Sequence, residues 1–259
     1  PTTPRPGDGS GNVELRNVTF GYGDKPVLVD VAFHARSGTV TAIVGPSGSG
    51  KTTIARLISR FWDVDSGAVM VDGVDIRELG TEQLMSRLSM VFQDVYLFDD
   101  SLIANIRVGR PDASDEEVFR AADLSGVTSI ANRLGWHTPV GEGGRLLSGG
   151  ERQRVSVARA LLKQAPIVLF DEATSALDAE NEANILAAMD ELREQSTFIV
   201  IAHKLDTIKS ADQIVVLDEH GQVSQLGTHS ELSDVPGIYR HFWQQRKAAR
   251  GWKISSGRD

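Results

Sequence analysis

One glycine-rich segment, residues 45–53, constrains the fold of this chain more than any other feature. Its residues are Gly45, Pro46, Ser47, Gly48, Ser49, Gly50, Lys51, Thr52 and Thr53. An apolar run, Val40–Val44, precedes the segment, and apolar residues at helical spacing follow it from Ile54 to Phe61. A glycine-rich loop between a strand and a helix, ending in Gly-Lys-Thr, is typical of a phosphate-binding loop. The segment therefore predicts a site for nucleotide phosphates.

The chemistry of such a loop follows from its residue types. Small residues let the backbone curl around an anion so that N–H groups point at phosphate oxygens, and the helix N-terminus adds favourable partial charge. We expect Lys51 to reach the β- and γ-phosphates and the Thr52 hydroxyl to ligate Mg²⁺. The competing interpretation is a glycine-rich turn with a solvated lysine, which the position between strand and helix disfavours.

Length and composition exclude several classes of protein. The 259 residues suffice for a stable core in one large or two small domains. A net charge of −8 does not favour nucleic acid or an anionic membrane surface as the main partner. The absence of cysteine rules out disulfides and thiolate metal sites. No apolar run approaches the roughly 20 residues that span a bilayer. Residues 1–12, rich in Pro, Gly and Thr, are typical of a linker cut from a larger protein.

Two adjacent carboxylates, Asp171 and Glu172, follow the apolar run Ile167–Phe170. Carboxylates at the end of a buried strand are costly unless they meet a cation or take part in chemistry. Asp171 can hold Mg²⁺ directly or through water, and Glu172 can polarise the water that attacks a γ-phosphate. The alternative, two solvated residues at a strand exit, loses weight because a phosphate loop lies upstream.

Three further residues are candidates because of their position. Gln93 and His203 each end an apolar run predicted to be a strand, and ligand sites in open α/β sheets collect at the carboxyl ends of strands. Tyr22 lies in a turn between two predicted strands, where its ring can stack on a base. Each has a structural alternative that stays open here: Gln93 as a turn-closing amide, His203 as a packing residue and Tyr22 as an exposed turn residue.

The middle of the chain changes character, because residues 101–131 lack strand alternation. Ser114 with Glu117 forms an N-cap pattern ahead of an apolar helical face. We therefore predict a helical subdomain at about residues 94–160, inserted into an α/β core.

A second candidate anion site opens the helix that runs to about Lys163. Its first residues are Ser148, Gly149, Gly150 and Glu151. Backbone N–H groups, a hydroxyl and the helix dipole favour an anion there. Capping of the helix by Ser148 is the simpler interpretation. Capping alone, however, requires neither the two consecutive glycines nor the charged residues that follow them.

The end of the chain predicts a hairpin of strands at 214–217 and 223–226, followed by two helices. The last helix, Ile238–Lys247, carries aromatic residues at 239, 242 and 243, which we interpret as packing residues. Residues 249–259 are predicted to be a disordered tail.

In this order, these segments resemble the nucleotide-binding domain of an ABC transporter over about residues 13–248. Seven motifs carry the resemblance: an A-loop aromatic (Tyr22), Walker A (45–53), a Q-loop glutamine (Gln93), a signature motif (Leu147–Glu151), Walker B (Ile167–Glu172), a D-loop (Ser175–Asp178) and a switch histidine (His203). The resemblance implies an α/β P-loop NTPase core with a mostly parallel sheet, an N-terminal antiparallel β subdomain and an inserted α-helical subdomain.

The resemblance also implies the site and its partners. Two ATP molecules with Mg²⁺ are held between Walker A of one domain and the signature motif of a second, identical or related one. Lys51, Glu172 as general base and His203 are the catalytic residues, and Thr52, Gln93 and Asp171 face the metal. Tyr22, Gln93, His203 and residues 45–53 bind nucleotide in one subunit, whereas Ser148, Gly149, Gly150, Glu151 and Asp178 complete the site from the other.

The motifs resemble most closely those of exporter-fold half-transporters, with transmembrane domains N-terminal to Pro1 and the ATPase on the cytoplasmic face of the membrane. Residues Thr138–Gly144, before the signature motif, resemble the X-loop of these systems. Three departures are visible: Pro139 replaces the usual Glu of the X-loop, Glu151 replaces the usual Gln of the signature motif, and Lys204 replaces the Arg that often follows the switch histidine. The C-terminal half resembles actinobacterial siderophore transporters of this fold, which work as importers. The alternatives are a soluble ABC ATPase acting on DNA or ribosomes, which the charge of −8 disfavours, and a non-hydrolysing sensor, which Glu172 and His203 disfavour.

Overall fold

The computed structural model describes residues 10–92, 95–171, 187, 189–190, 192–193, 195–202 and 205–255. Its strands are β1 (Val13–Phe20), β2 (Leu28–Ala35), β3 (Val40–Val44), β4 (Ser66–Val71), β5 (Val74–Asp75), β6 (Leu88–Val91), β7 (Ile167–Asp171), β8 (Thr197–Ile201), β9 (Gln213–Leu217) and β10 (Val223–Gly227). They form one sheet in the order β2-β1-β4-β5 and a second in the order β10-β9-β3-β8-β7-β6.

The described helices surround these sheets. They are α1 (Lys51–Ile58), α2 (Thr81–Arg87), α3 (Leu102–Arg107), α4 (Asp115–Leu124), α5 (Thr128–Leu134), α6 (Gly149–Lys163), α7 (Leu205–Ser210), α8 (His229–Asp234) and α9 (Ile238–Ser255), with a 3₁₀ turn at Glu142–Gly144. None of them is long and apolar enough to cross a membrane.

The first sheet is antiparallel, as predicted for the N-terminal part of the chain. Strand β1 alternates buried and exposed residues until its register shifts between Leu15 and Val18. Asn17, with φ at 47°, lies inside this bulge. The extra residue keeps Val18 and Phe20 on the buried face, because a strand without it would turn them to solvent.

The second sheet is parallel except for the β9–β10 hairpin. Strands β3, β7 and β8 are buried along their whole length, which explains their continuous apolar sequences. In the register of the sheet, Ile43 and Asp171 both pair with Ile201. The carboxyl ends of β3, β7 and β8 therefore lie at one edge, where the loop after β3 begins.

The helices α3 to α6 form the predicted helical insertion between β6 and β7. Ser114 and Glu117 make the predicted capping box at the start of α4. The buried amide of Asn105 on α3 and the guanidinium of Arg159 on α6 bind each other, at the centre of the insertion. Arg159 also donates to the carbonyl of Tyr96 at 2.8 Å, which fixes the segment after β6 to α6.

The last helix, α9, extends to Ser255 and so continues beyond residue 248, where the sequence predicts the domain to end. Its first turn is anchored by Tyr239, which is fully buried. The Tyr239 hydroxyl lies 2.7 Å from Nδ1 of His229 on α8, and its backbone N–H donates to Oε1 of Gln225 on β10 at 3.0 Å. Burial raises the pKa of Tyr239 to about 12, so the hydroxyl stays protonated at neutral pH.

Candidate nucleotide site

The loop between β3 and α1 has the backbone shape that an anion site requires. Gly48 and Gly50 have φ angles of 82° and 92°, which glycine adopts without a steric penalty. A Cβ on Gly50 would lie 2.4 Å from Cδ2 of Leu28, so a larger residue there would force the Leu28 side chain to move. Pro46, Ser47 and Gly48 are exposed at the tip of the loop, whereas Gly45, Ser49, Gly50 and Thr53 are buried.

Lys51, at the start of α1, is held inside the curve of this loop. Its side chain is largely buried, and Nζ donates to the carbonyls of Gly45 at 3.1 Å and Pro46 at 2.7 Å. A buried ammonium is tolerated only with such acceptors or an anion nearby. The loop therefore fixes a positive charge next to its own N–H groups.

The Thr52 hydroxyl joins the loop to the end of β7. It donates to Oδ1 of Asp171 at 3.2 Å, and Asp171 is only 6% exposed. Since these residues are 119 positions apart in the chain, the sheet alone brings them together. Hydroxyl and carboxylate oxygens are the ligands that Mg²⁺ prefers in proteins.

A cleft of about 820 Å³ opens over the loop. It is lined by Val27, Gly45, Pro46, Ser47, Gly48, Gly50, Lys51, Thr52, Thr53, Phe242, Gln245 and Arg246. Within this described lining, Lys51 and Arg246 are cationic and no residue is a carboxylate. The cleft has the size of a small-molecule site, about 300–1,000 Å³, and the charge to hold an anion.

One further polar atom in the loop points to a ligand. The hydroxyl of Ser49 is buried and has no hydrogen-bond partner among the described residues. Buried hydroxyls without a partner are rare in native proteins and usually have a functional reason. Together with the donors of the loop, this hydroxyl fits a site that is completed by a bound phosphate group.

Tyr22 lies at the rim of the loop and outside the described lining of the cleft. Its ring is half exposed and contacts the edges of Phe20 and Trp62, each at a centroid distance of 5.1 Å. Its hydroxyl lies 3.3 Å from Oγ1 of Thr53. These contacts hold the ring beside the start of α1 and leave part of its surface open.

The segment that opens α6 has the capping geometry that its sequence allows. Oγ of Ser148 accepts from the backbone N–H of Glu151 at 3.3 Å, and Oε2 of Glu151 accepts from the N–H of Ser148 at 2.8 Å. Burial alone would raise the pKa of Glu151, but the hydrogen bonds from Ser148 and the ion pair with Arg133 lower it. Ser148 and Gly149 are exposed. No residue of the motif is in the described lining of the cleft.

Gln93, Glu172, Asp178 and His203 lie outside the described residues. Three of these residues come directly after the carboxyl edge of the parallel sheet in the sequence. Gln93 is two positions after Val91, Glu172 is one position after Asp171, and His203 is one position after Ala202. The N–H of Ala202 donates to the carbonyl of Ile43 at 3.1 Å, which continues the β8 pairing up to the residue before His203.

Apart from Val27, the residues of the cleft that the sequence patterns do not identify come from α9. Tyr239 is buried, as a packing residue should be, whereas Phe242 lines the cleft together with Gln245 and Arg246. Their spacing of i, i+3 and i+4 places them on one helix face. In the sequence, the signal for this part of the site is Arg246, a cation four residues after Phe242 and so on the same face of α9.

A comparison with protein families identifies the chain. The model of a family described as ABC transporter matches residues 28–175, from β2 through the phosphate loop to the end of β7 and beyond. The chain belongs to the ABC transporter family. It is therefore an ATP-binding domain, and the predicted α/β fold class is confirmed.

Curated relatives and a solved structure agree with this assignment. The mycobactin import ATP-binding/permease protein IrtB of Mycolicibacterium thermoresistibile is 47% identical over 247 residues, which cover 95% of this chain and 42% of that protein. The ATP-dependent lipid A-core flippase of Vibrio vulnificus is 47% identical over 234 residues, 88% of this chain and 40% of that protein. A bacterial Atm1-family ABC exporter with ATP bound superposes with a TM-score of 0.89 and 43% identity, covering 95% of this chain and 43% of that chain. The chain thus spans about two fifths of the length of these ABC transporters.

Proposed function

We propose that this ABC transporter domain hydrolyses ATP with Mg²⁺ to drive the movement of a substrate across a membrane. The observation that carries the proposal is the hydrogen bond from Thr52 to Asp171, which joins the phosphate loop to the carboxylate at the end of β7. The names of the relatives support it, since they describe an import permease, a flippase and an exporter.

The residues around the loop then take distinct roles. Lys51 binds the β- and γ-phosphates, and Thr52 and Asp171 hold Mg²⁺ together with Gln93. Their oxygen donors fit that metal, which when bound screens the phosphate charge and aligns the triphosphate. Glu172, one residue after Asp171, accepts a proton from the attacking water. His203 contacts the γ-phosphate, and Tyr22 stacks on the adenine.

The site is completed by a second nucleotide-binding domain. Ser148, Gly149, Gly150 and Glu151 belong to the signature motif, and none of them is in the described lining of the phosphate cleft of their own chain. Exposed N–H groups at the start of α6 suit an anion presented by another subunit. We propose that this motif and Asp178 close over ATP bound to the partner, and that two sites form in a head-to-tail dimer.

Transmembrane domains are the further partner that we propose, with the ATPase on the cytoplasmic face of the membrane. Tyr96 and Phe98 follow Gln93 closely, are 57% and 52% exposed, and contact each other edge-on at 5.9 Å. An exposed aromatic pair on a fixed segment is typical of a protein interface. Pro139 of the X-loop bridges to Ser101 at the end of the same segment.

This surface can be tested in the full-length transporter. The double substitution Tyr96→Ser with Phe98→Ser should leave basal ATP hydrolysis by the isolated domain unchanged and reduce substrate transport by at least about tenfold, because the interface loses two aromatic anchors. Transport into vesicles and phosphate release are the measurements. Unaltered transport would place the membrane-domain contact elsewhere.

The names of the relatives give different transported substrates, although the relatives are equally similar in sequence to this chain. The mycobactin import protein matches the predicted resemblance to siderophore transporters, yet the lipid A-core flippase is equally identical, at 47%. We propose that substrate contacts lie outside this domain and that siderophore import is one of the functions it can power. Transport by the full-length protein, measured with a radiolabelled ferric siderophore, tests that assignment.

Nucleotide binding is tested directly by Lys51→Ala. We expect ATP affinity to fall by about 10- to 100-fold and hydrolysis to be lost, because a charge-assisted contact with the phosphates disappears. Titration with a fluorescent ATP analogue measures the affinity, and thermal unfolding of the free chain is the control for folding. Full affinity in Lys51→Ala would contradict the assignment of the loop.

Stacking of the adenine on Tyr22 is tested by the same titration. Tyr22→Ala should weaken binding about tenfold, whereas Tyr22→Phe should not, since stacking requires only the ring.

A further inference from the structure

The C-terminal helix α9 is fixed to the body of the domain close to the phosphate loop. Tyr239 is buried against α8 and bound to His229, as described above. One turn later, Trp243 packs on the His229 ring at a centroid distance of 4.3 Å. These contacts define which face of α9 turns towards the loop.

That face carries a cation into the cleft. Phe242 and Arg246 are four residues apart, and the guanidinium carbon of Arg246 lies 4.5 Å from the centre of the Phe242 ring. The stacking restricts the rotamers of the arginine, so less entropy is lost when it binds an anion. Burial lowers the pKa of Arg246 from its ordinary value, but the group remains charged at neutral pH.

The space between α9 and the loop is large enough to receive a nucleotide. The cleft of about 820 Å³ is lined both by Arg246 and by residues of the loop, so α9 borders the site and does not fill it. Among the described residues of the lining, the charges are those of Lys51 and Arg246. Two cations that line one cleft match a triphosphate, whose charge is spread along its length.

We propose that Arg246 is a phosphate-binding residue that contacts the triphosphate of ATP held on the loop of the same chain. The inference rests on the proposed function, since it takes ATP as the ligand of the cleft. None of the seven motifs extends to α9, so this contact adds a second cation to the described half of the site.

The test is a titration of the 259-residue chain with a fluorescent ATP analogue. Arg246→Ala should weaken binding about tenfold, and Arg246→Lys should recover part of the loss because it restores the charge but not the planar fork. Arg240→Ala is the matched control, because Arg240 is an exposed arginine on the same helix that does not line the cleft. Competition by inorganic triphosphate should weaken to the same extent in Arg246→Ala, since the contact is with phosphate.

The outcomes separate this inference from the proposed function. If Lys51→Ala weakens binding by about 10- to 100-fold while Arg246→Ala behaves like Arg240→Ala, the ATP site stands and the role of Arg246 is refuted. Tighter binding by Arg246→Ala would also refute it, because α9 would then compete with the nucleotide. If the wild-type chain binds no analogue, the proposed function fails first. Thermal unfolding of each free variant should match the wild type and excludes a loss of fold.

Discussion

Glu172→Gln should reduce the rate of ATP hydrolysis by about 100- to 10,000-fold, the usual contribution of a general base. ATP binding should persist, because the loop, Lys51 and Thr52 are unchanged. Glu172 follows Asp171, whose carboxylate is buried and bound to the Thr52 hydroxyl at 3.2 Å. Glu172 is the next residue in the chain, and we propose that its carboxylate takes a proton from the attacking water, which an amide cannot do.

The same variant should accumulate a dimer with ATP. Hydrolysis removes the phosphate that links the two subunits, so a chain that binds but does not hydrolyse keeps the dimer closed. Size-exclusion chromatography with light scattering measures this, and phosphate release measures the rate. Glu116→Gln is the control, since Glu116 is an exposed carboxylate at the start of α4. Turnover at the wild-type rate in Glu172→Gln would refute its role as base.

Ser148→Arg should leave ATP binding by monomers intact while it prevents the ATP-dependent dimer and reduces turnover more than about tenfold. A long side chain would occupy the space that the partner's phosphates require, and a clash of about 1.4 kcal/mol already costs a factor of ten. The motif is absent from the described lining of its own cleft, so ATP binding by the monomer should be unchanged. Analogue titration, light scattering and phosphate release provide the three measurements.

Ser114→Arg is a matched control for this substitution. Ser148 and Ser114 both cap a helix with a capping box, to Glu151 and Glu117 respectively. Each substitution removes a cap worth about 1 kcal/mol. Only the cap on α6 belongs to the signature motif, so Ser114→Arg should lose stability but keep dimerisation and turnover. A large loss of monomer affinity in Ser148→Arg would show that Ser148 binds nucleotide within its own chain.

The parts of the fold that local sequence determines could be predicted. Strand β3 is a continuous apolar run, the loop after it is set by glycines, and the capping box at Ser114 depends on two residues three apart. The short elements could not be predicted from the sequence. β5 has two residues, and α7 offers too few apolar positions for a period to be recognised.

The candidate site also has parts that the sequence predicts and parts that it does not. The meeting of Thr52 with Asp171 could be expected, because parallel strands bring their carboxyl ends to one edge of a sheet. The position of Arg246 could not, because it depends on how the Tyr239 contact with α8 orients α9. Motifs describe the residues near the strand ends, whereas a wall supplied by a distant helix follows only from tertiary packing.

The central claim is that one active site requires two chains. Mixing Lys51→Ala with Ser148→Arg tests it most directly, because the first variant keeps an intact signature motif and the second keeps an intact phosphate loop. Alone, Lys51→Ala should not hydrolyse ATP, and Ser148→Arg should hydrolyse it more than about tenfold more slowly than the wild type. The mixture should recover hydrolysis, with a rate that rises with the concentration of either partner, because each mixed dimer contains one complete site. No recovery, with both variants folded and Ser148→Arg still binding ATP, would contradict the composite site.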